Sequence, residues 1–262
     1  MELLALRNRG WAWCTREQRE FFDGRRISAG VSAHDRVTQG APMVTVEQVE
    51  LLMVTAAAFR MRGQVDEALD QMDVACDRAR AVPIDLRCLA EVQRAEVINS
   101  SGHGVRLIDE SSKRLLRFRA VFHERVSDMV MCAINATLAR TSLILGDALG
   151  ALEWASKVGT EKCRCPMADV WMAVTRAQCH VLLDQPGEAL AAAKTAADEV
   201  SLLVAASTDA TIWAALAELA WQCGEIDLAW RWATHAIDVA EVRPQEVTPE
   251  FMPGDIAWTL GN

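Results

Sequence analysis

Trp221-Gln-Cys-Gly-Glu-Ile-Asp-Leu-Ala-Trp-Arg-Trp-Ala-Thr-His-Ala236 is the stretch that decides the fold of this chain. It holds three of the nine tryptophans, Trp221, Trp230 and Trp232, beside a cysteine and a histidine. An aromatic cage around a ligand would look like this, and so would the packing residues of adjoining helices. The rest of the chain separates the two readings. Gly224-Glu-Ile-Asp-Leu-Ala229 matches Gly63-Gln-Val-Asp-Glu-Ala68 and Gly146-Asp-Ala-Leu-Gly-Ala151, and more loosely Asp184-Gln-Pro-Gly-Glu-Ala189. In each copy a turn residue stands five before an Ala that opens an amphipathic helix. Seven before the turn residue lies another Ala: Ala56, Ala139, Ala177 and Ala217. The same frame on Gly102 gives Ala95 and a fifth, more degenerate copy.

The turn positions 63, 102, 146, 184 and 224 are thus 39, 44, 38 and 40 residues apart. Pro83, Pro166 and Pro244 each follow Gly63, Gly146 and Gly224 by twenty residues, where proline suits the break before a new helix. Each unit therefore reads as two antiparallel helices, Ile212–Cys223 and Ile226–Glu241 in the last copy. The glycine ends the first helix in a left-handed cap. Small residues such as Ala217 and Ala229 let the two axes approach, and Trp213, Leu216 and Trp230 seal the hairpin against its neighbours. On this frame Trp213 and Trp230 are core residues. Trp221 belongs with the residues facing the groove that upstream helices line. Trp232 is placed to cover the last edge of the array, with Phe251 or Trp258 from the tail.

The pattern of Trp or Leu, small residue, Gly with a following acid, then Ala resembles the tetratricopeptide repeat. It is carried best by Trp213, Leu216, Ala217, Gly224, Ala229, Ala233 and Ala236. The resemblance covers residues 48–244 and implies an all-α fold, a right-handed superhelical solenoid of five helix-turn-helix repeats with an N-terminal capping helix. The units exceed the family's usual length of about 34 residues. In that they look more like the tetratricopeptide-like sensor domains of bacterial regulators than like co-chaperone modules. The organisation expected is a capping helix and loop over 1–45, the repeat domain over 46–244 and a Pro-rich tail over 245–262. Within the first segment, Leu3–Phe22 reads as the helix, carrying Trp11 and Trp13, because the exposed ends of such an array need covers.

Composition agrees with helices: 51% of the 262 residues are hydrophobic, with no Tyr, seven Pro and fourteen Gly. A net charge of −9 argues against a broad nucleic-acid footprint. Lys113, Arg114, Arg117 and Arg119, with Arg106 and Arg125 nearby, form the only candidate basic patch. Met1–Gly10 lacks the apolar core of a secretion signal. The apolar runs Met129–Leu145 and Leu202–Trp221 are interrupted by Arg140, Asp209 and Glu218, so no membrane span is expected. Eight irregularly spaced cysteines read as reduced thiols, which points to a cytoplasmic protein.

Cys163-Arg-Cys165 with Cys179-His180 offers zinc's preferred ligand types. The Cys-x-Cys spacing is tighter than most structural knuckles, and the frame sets Cys179 and His180 inside a helix with His180 on its packed side. No metal and no cofactor is therefore expected. His34-Asp35 lacks the upstream His of a metal phosphohydrolase, and the chain has no GxSxG, phosphate-binding GKS/GKT or DDxxD. A non-enzyme is expected.

The groove is then the best functional guess. The frame assigns it Met53, Ala57 and Arg60, then Gln93, Glu96 and Asn99, then Ala136 and Arg140. Trp171, Val174 and Gln178 follow from the fourth unit, and Glu218 and Trp221 from the fifth. The candidate ligand contacts are Arg60, Gln93, Glu96, Asn99, Arg140, Trp171, Gln178, Glu218 and Trp221. Arg60 and Arg140 offer forks for carboxylates. Asn99 and Gln178 can bond a peptide backbone, and Trp171 and Trp221 can stack on apolar groups. The family's co-chaperones clamp a carboxylate with Lys and Asn, for which this chain has Met53 and Ala57, so chaperone tails are not expected partners. Two readings stay open: a regulatory or sensor module closing on a peptide or small ligand, and a passive scaffold for a protein partner. A homodimer is compatible with either.

Overall fold

The computed structural model describes residues 46–100, 104–158, 166–202 and 210–242. Ten α-helices fill these residues, with one 3-10 turn at Ala79–Ala81 and no strand among them. They run as hairpins: α1 (Val46–Met61) with α2 (Val65–Arg78), and α3 (Ile84–Ser100) with α4 (Val105–Phe122). Then come α5 (Asp128–Ile144) with α6 (Ala148–Ser156), α7 (Pro166–Leu182) with α8 (Pro186–Leu202), and α9 (Ala210–Gln222) with α10 (Ile226–Val242). The downstream helix of one hairpin packs on the upstream helix of the next at α2 with α3, α6 with α7 and α8 with α9. Two compact units result, Met1–Thr141 and Ser142–Asn262, with the division falling inside α5.

The hairpin turns lie where the repeat frame puts them. Gly63, Gly146 and Gly224 have φ of 71°, 78° and 80°, and Asp184 takes the same left-handed conformation at 56°. Each turn closes with the same pair of bonds. The turn residue's N–H donates to the carbonyl three residues back, and the next N–H donates five residues back. At Gly224 these run to Trp221 O and, from Glu225, to Ala220 O, both 2.9 Å; at Gly63 they run to Arg60 O and, from Gln64, to Phe59 O. This is the Schellman arrangement, which satisfies carbonyls that a helix end would leave unpaired. The next helix begins at once, with Ala68, Ala151, Ala189 and Ala229 donating to the residue just after the turn. Gly102 lies outside the described residues.

The paired alanines meet the packing role read from the sequence. Ala56, Ala95, Ala139, Ala177 and Ala217 on the upstream helices are all buried, as are Ala68, Ala151, Ala189 and Ala229 across the turns. In the first unit Leu52, Met53 and Ala56 of α1 pack with Met72, Ala75 and Cys76 of α2 and with Ala90 and Val97 of α3. In the second, Val170, Val174 and Ala177 of α7 pack with Ala193 and Val200 of α8 and with Ile212, Trp213 and Leu216 of α9.

Trp213 is core, and His235 of α10 stands edge-on to its ring, centroids 4.6 Å apart at 89°. Within Trp221–Ala236 it is His235, Trp232 and the alanines Ala229, Ala233 and Ala236 that pack, while Trp221 and Trp230 are exposed. Trp232 lies partly buried against the same core. Trp230 corrects the sequence reading: its side chain is 71% exposed. Ala229, Ala233 and Ala236 form the buried face of α10, and one residue's rotation from Ala229 turns Trp230 away from it. Trp11, Trp13, His34, Cys163, Cys165, Phe251 and Trp258, with the helix read over Leu3–Phe22, lie outside the described residues. Among the described residues, no group of three or more His, Cys, Asp or Glu could hold a metal ion. No helix there is long and apolar enough to cross a membrane.

Candidate binding surface of the upstream helices

Side chains recurring every three residues on a helix stay on one slowly turning face. Gln93, Glu96 and Asn99 do this on α3, and a polar network joins that face to α5. Glu96 is buried and accepts two hydrogen bonds, from Thr137 Oγ1 at 2.7 Å and from Arg140 Nη1 at 2.6 Å. Thr141 Oγ1 donates back to Thr137 O at 2.8 Å and accepts from Asn99 Nδ2 at 2.9 Å. Glu96, Asn99 and Arg140 are thus brought together through two threonines. Thr137 and Thr141 were not among the sequence candidates. Their signal is faint: two hydroxyls four residues apart on a helix whose other residues are mostly apolar.

The fork of Arg140 is engaged by the chain's own Glu96, at 2.6 Å. A buried carboxylate needs such a partner, since an unpaired one would be strongly disfavoured. The amide oxygens beside this pair have no such compensation. Gln93 Oε1 and Asn99 Oδ1 are sealed from solvent and accept no hydrogen bond. The orientation of Asn99 follows from its neighbour: the Thr141 proton is committed to Thr137 O, so the hydroxyl must accept from the Asn99 amide nitrogen. Oδ1 is then left as an acceptor.

Arg60 lies half-buried in the last turn of α1, in the same unit. The remaining candidates belong to the second unit. Trp171 of α7 packs partly buried against the core, and Gln178 lies two turns further along the helix, also half-buried. Glu218 of α9 accepts from Gln222 Nε2 at 3.0 Å. Trp221 is exposed beside the Gly224 turn. Met53 and Val174, placed along the groove by the frame, are instead closed into the cores.

The basic face of α4 is largely neutralised. Lys113 Nζ pairs with Asp109 at 2.5 Å and Arg106 with Glu110 at 3.0 Å, each one turn away. Arg119 Nε donates to Asn135 Oδ1 at 3.0 Å. Arg114 Nη2 reaches the buried Glu91 of α3 at 2.5 Å. Burial works against the Arg114 charge, but the hydrogen bond and charge of Glu91 hold the guanidinium above its ordinary value. A phosphate backbone would meet these cations with partners already in place.

Elsewhere, burial is the main influence on the shifted titratable groups. Burial pushes the thiols of Cys88 and Cys179 up to about 11. Burial, then the charge of Glu91, lifts Cys76 further still. His180 is half-buried, and its Nδ1 lies 2.8 Å from Gln185 Oε1 across the Asp184 turn. Glu199 of α8 is raised by burial and then by the charge of Asp169.

No family model matches the sequence, and no curated protein does. Solved structures do. A Podosopora anserina protein described as a kinesin light chain, built of nearly identical TPR-like repeats, is 15% identical with a TM-score of 0.54. That match covers 77% of this chain and 99% of the other. A single-substitution variant of the same Podosopora anserina protein is 14% identical at the same TM-score, covering 76% and 97%. At this identity the likeness speaks to fold alone. Together with the left-handed hairpin turns and the paired alanines, it establishes that this chain has the tetratricopeptide-like helical repeat fold.

Proposed function

We propose that the chain is a protein-interaction module without catalytic activity, and that it holds an extended peptide segment along α3 in its first unit. The supporting observation is the pair of enclosed, unbonded amide oxygens at Gln93 and Asn99, flanking Glu96. The two unbonded groups are acceptor oxygens, while the Asn99 amide nitrogen and Glu96 are already engaged, so this part of the surface favours donors. A peptide backbone presents a row of N–H groups, and a basic side chain presents several more. An enclosed acceptor without a donor costs free energy, which the half-buried side chains of Gln93 and Asn99 would recover by turning outward to a peptide N–H. The net charge of −9 favours a basic partner as well. Arg60, in the last turn of α1, is the residue we assign to a peptide carboxylate, which would compete with the interaction Arg60 already makes. Trp171, Gln178, Glu218 and Trp221 would offer the second unit a contact surface of its own.

A display library of random twelve-residue peptides, panned against the full chain, tests this reading. Enriched peptides should bind with affinity reduced about fivefold or more by Gln93→Ala or Asn99→Ala, one lost charge-free hydrogen bond being worth roughly 1 kcal/mol. Arg117→Ala, on the exposed face of α4, should leave binding unchanged. Failure to enrich any sequence, or affinity indifferent to Gln93 and Asn99, would overturn the proposal. Small-angle scattering of the complex then separates the two modes. A fall in radius of gyration marks a sensor that closes on its ligand, and an unchanged radius marks a passive scaffold.

A further inference from the structure

The last described helix leaves one face open that every earlier hairpin covers. The sixth residue after each turn is the test position. Leu69, Ile108, Leu152 and Leu190 occupy it in the first four hairpins, and all are buried or half-buried. Leu152 shows why: it packs with Cys179 and Leu183, contributed by the next hairpin. In the fifth hairpin the position is Trp230, at 71% exposure. The thirteenth residue repeats the contrast. Cys76, Leu115 and Ala197 are buried there, whereas Ile237 is 36% exposed. With Ile226 at 60%, these residues make an apolar stripe along α10, spaced four and seven residues apart on one face.

We propose that the chain's own segment 254–260 lies on this stripe. Twenty residues follow Val242 in the sequence, and Ile256, Trp258 and Leu260 alternate within Gly254-Asp-Ile-Ala-Trp-Thr-Leu260. In an extended backbone, alternate side chains share one face about 7 Å apart. One helical turn separates Ile226 from Trp230 by about 6 Å, so the two rows are commensurate. Reach is ample. From Val242 back to Trp230 is about 18 Å along the helix, and the fourteen residues from Val242 to Ile256 extend to about 46 Å. Pro244, Pro249 and Pro253 disfavour a helix continuing outward and suit a chain that turns back. Charge is mixed: segment 245–262 carries Glu246, Glu250 and Asp255 without a Lys or Arg, and α10 sets Arg231, exposed beside Trp230, against its own exposed Asp227 and Asp238. A second copy of the chain, at −9 each, would meet its like charge.

The test places a photo-reactive benzophenone amino acid at position 230 of the full chain, a site whose exposure tolerates the change. Irradiation should give an internal cross-link at monomer mass, mapping to residues 254–260 and independent of protein concentration. A product at dimer mass would overturn the proposal in favour of a second copy, and cross-links only to solvent or to other segments would overturn it outright. Amide exchange is the second readout. Trp258→Asp should speed exchange over residues 226–237 by about tenfold or more while α1 to α4 keep their rates. Unchanged exchange in α10 would count equally against the docked segment.

Discussion

Four residues hold the hairpins shut, and three of them are glycine for a reason that can be isolated. A Cβ built on Gly63, Gly146 or Gly224 meets no atom within 4 Å, so nothing there is too crowded for alanine. The only penalty is the left-handed backbone itself. Gly224→Ala should therefore lower stability by about 1 kcal/mol, seen as a lower urea midpoint at unchanged slope. Asp184 adopts the same conformation with a side chain, so Asp184→Gly should shift the midpoint the opposite way. Equal signs for the two substitutions would show that the turns are not the source of the effect. Buried thiols make a second case at this scale. Cys88 and Cys179 stay protonated in the fold up to about 11, from an ordinary value of 9.0. A group whose folded pKa is raised contributes stability that is complete below its unfolded value and lost as pH climbs through the folded one. Stability should hold from neutrality to about pH 9 and fall between there and about 11. In the native protein Cys223, which is half-buried, should react with a thiol reagent at least about tenfold faster than Cys76, Cys88 or Cys179, followed by peptide mass mapping.

At the scale of the element, what was legible in the sequence was whatever is decided within one hairpin. The turn residue, the alanine seven before it and the alanine five after it are local signals, and they located four turns within the described residues to the residue. Helix ends followed: the last hairpin reads Ile212–Cys223 and Ile226–Glu241 in sequence and Ala210–Gln222 and Ile226–Val242 in structure. Trp230 was misread because one residue's rotation from Ala229 sets it off the buried face of α10, a position that in an earlier hairpin, at Leu152, is covered by residues of the following one. The candidate site shows the same division. That Gln93, Glu96 and Asn99 share a face follows from helical spacing. That Glu96 takes the fork of Arg140 does not, since 44 residues separate the pair. The basic face of α4 is instructive on both counts. Lys113 with Asp109 and Arg106 with Glu110 are one turn apart and readable, whereas Arg114 with Glu91 depends on the packing of α3 against α4. Arg176 is a further cross-hairpin contact of this sort, donating from α7 to Ala155 O at 2.9 Å and satisfying a carbonyl at the end of α6.

For the molecule as a whole, the decisive physical question is how far a local loss of structure spreads. Contacts in a helical repeat run between neighbours in sequence, so stability is a sum of hairpin terms and interfaces rather than one shared core. The two clusters of buried side chains agree: Leu52 and Met72 belong to one, Trp213 and Leu216 to the other. Leu216 is fully buried on α9 among residues of α7, α8 and α10. Leu216→Ala would remove that side chain at a cost of about 2–5 kcal/mol. If the hairpins are coupled only through their interfaces, amide exchange should accelerate over 166–202 and 210–242, while α1 to α4 retain wild-type protection. If the chain instead opens as one cooperative block, every slowly exchanging amide from α1 to α10 would speed by the same factor. The first pattern would also leave peptide binding at Gln93 and Asn99 intact in the variant, because α3 and α5 would keep their network when the later hairpins loosen. Protection and binding would then separate in one protein, which a single cooperative core does not permit.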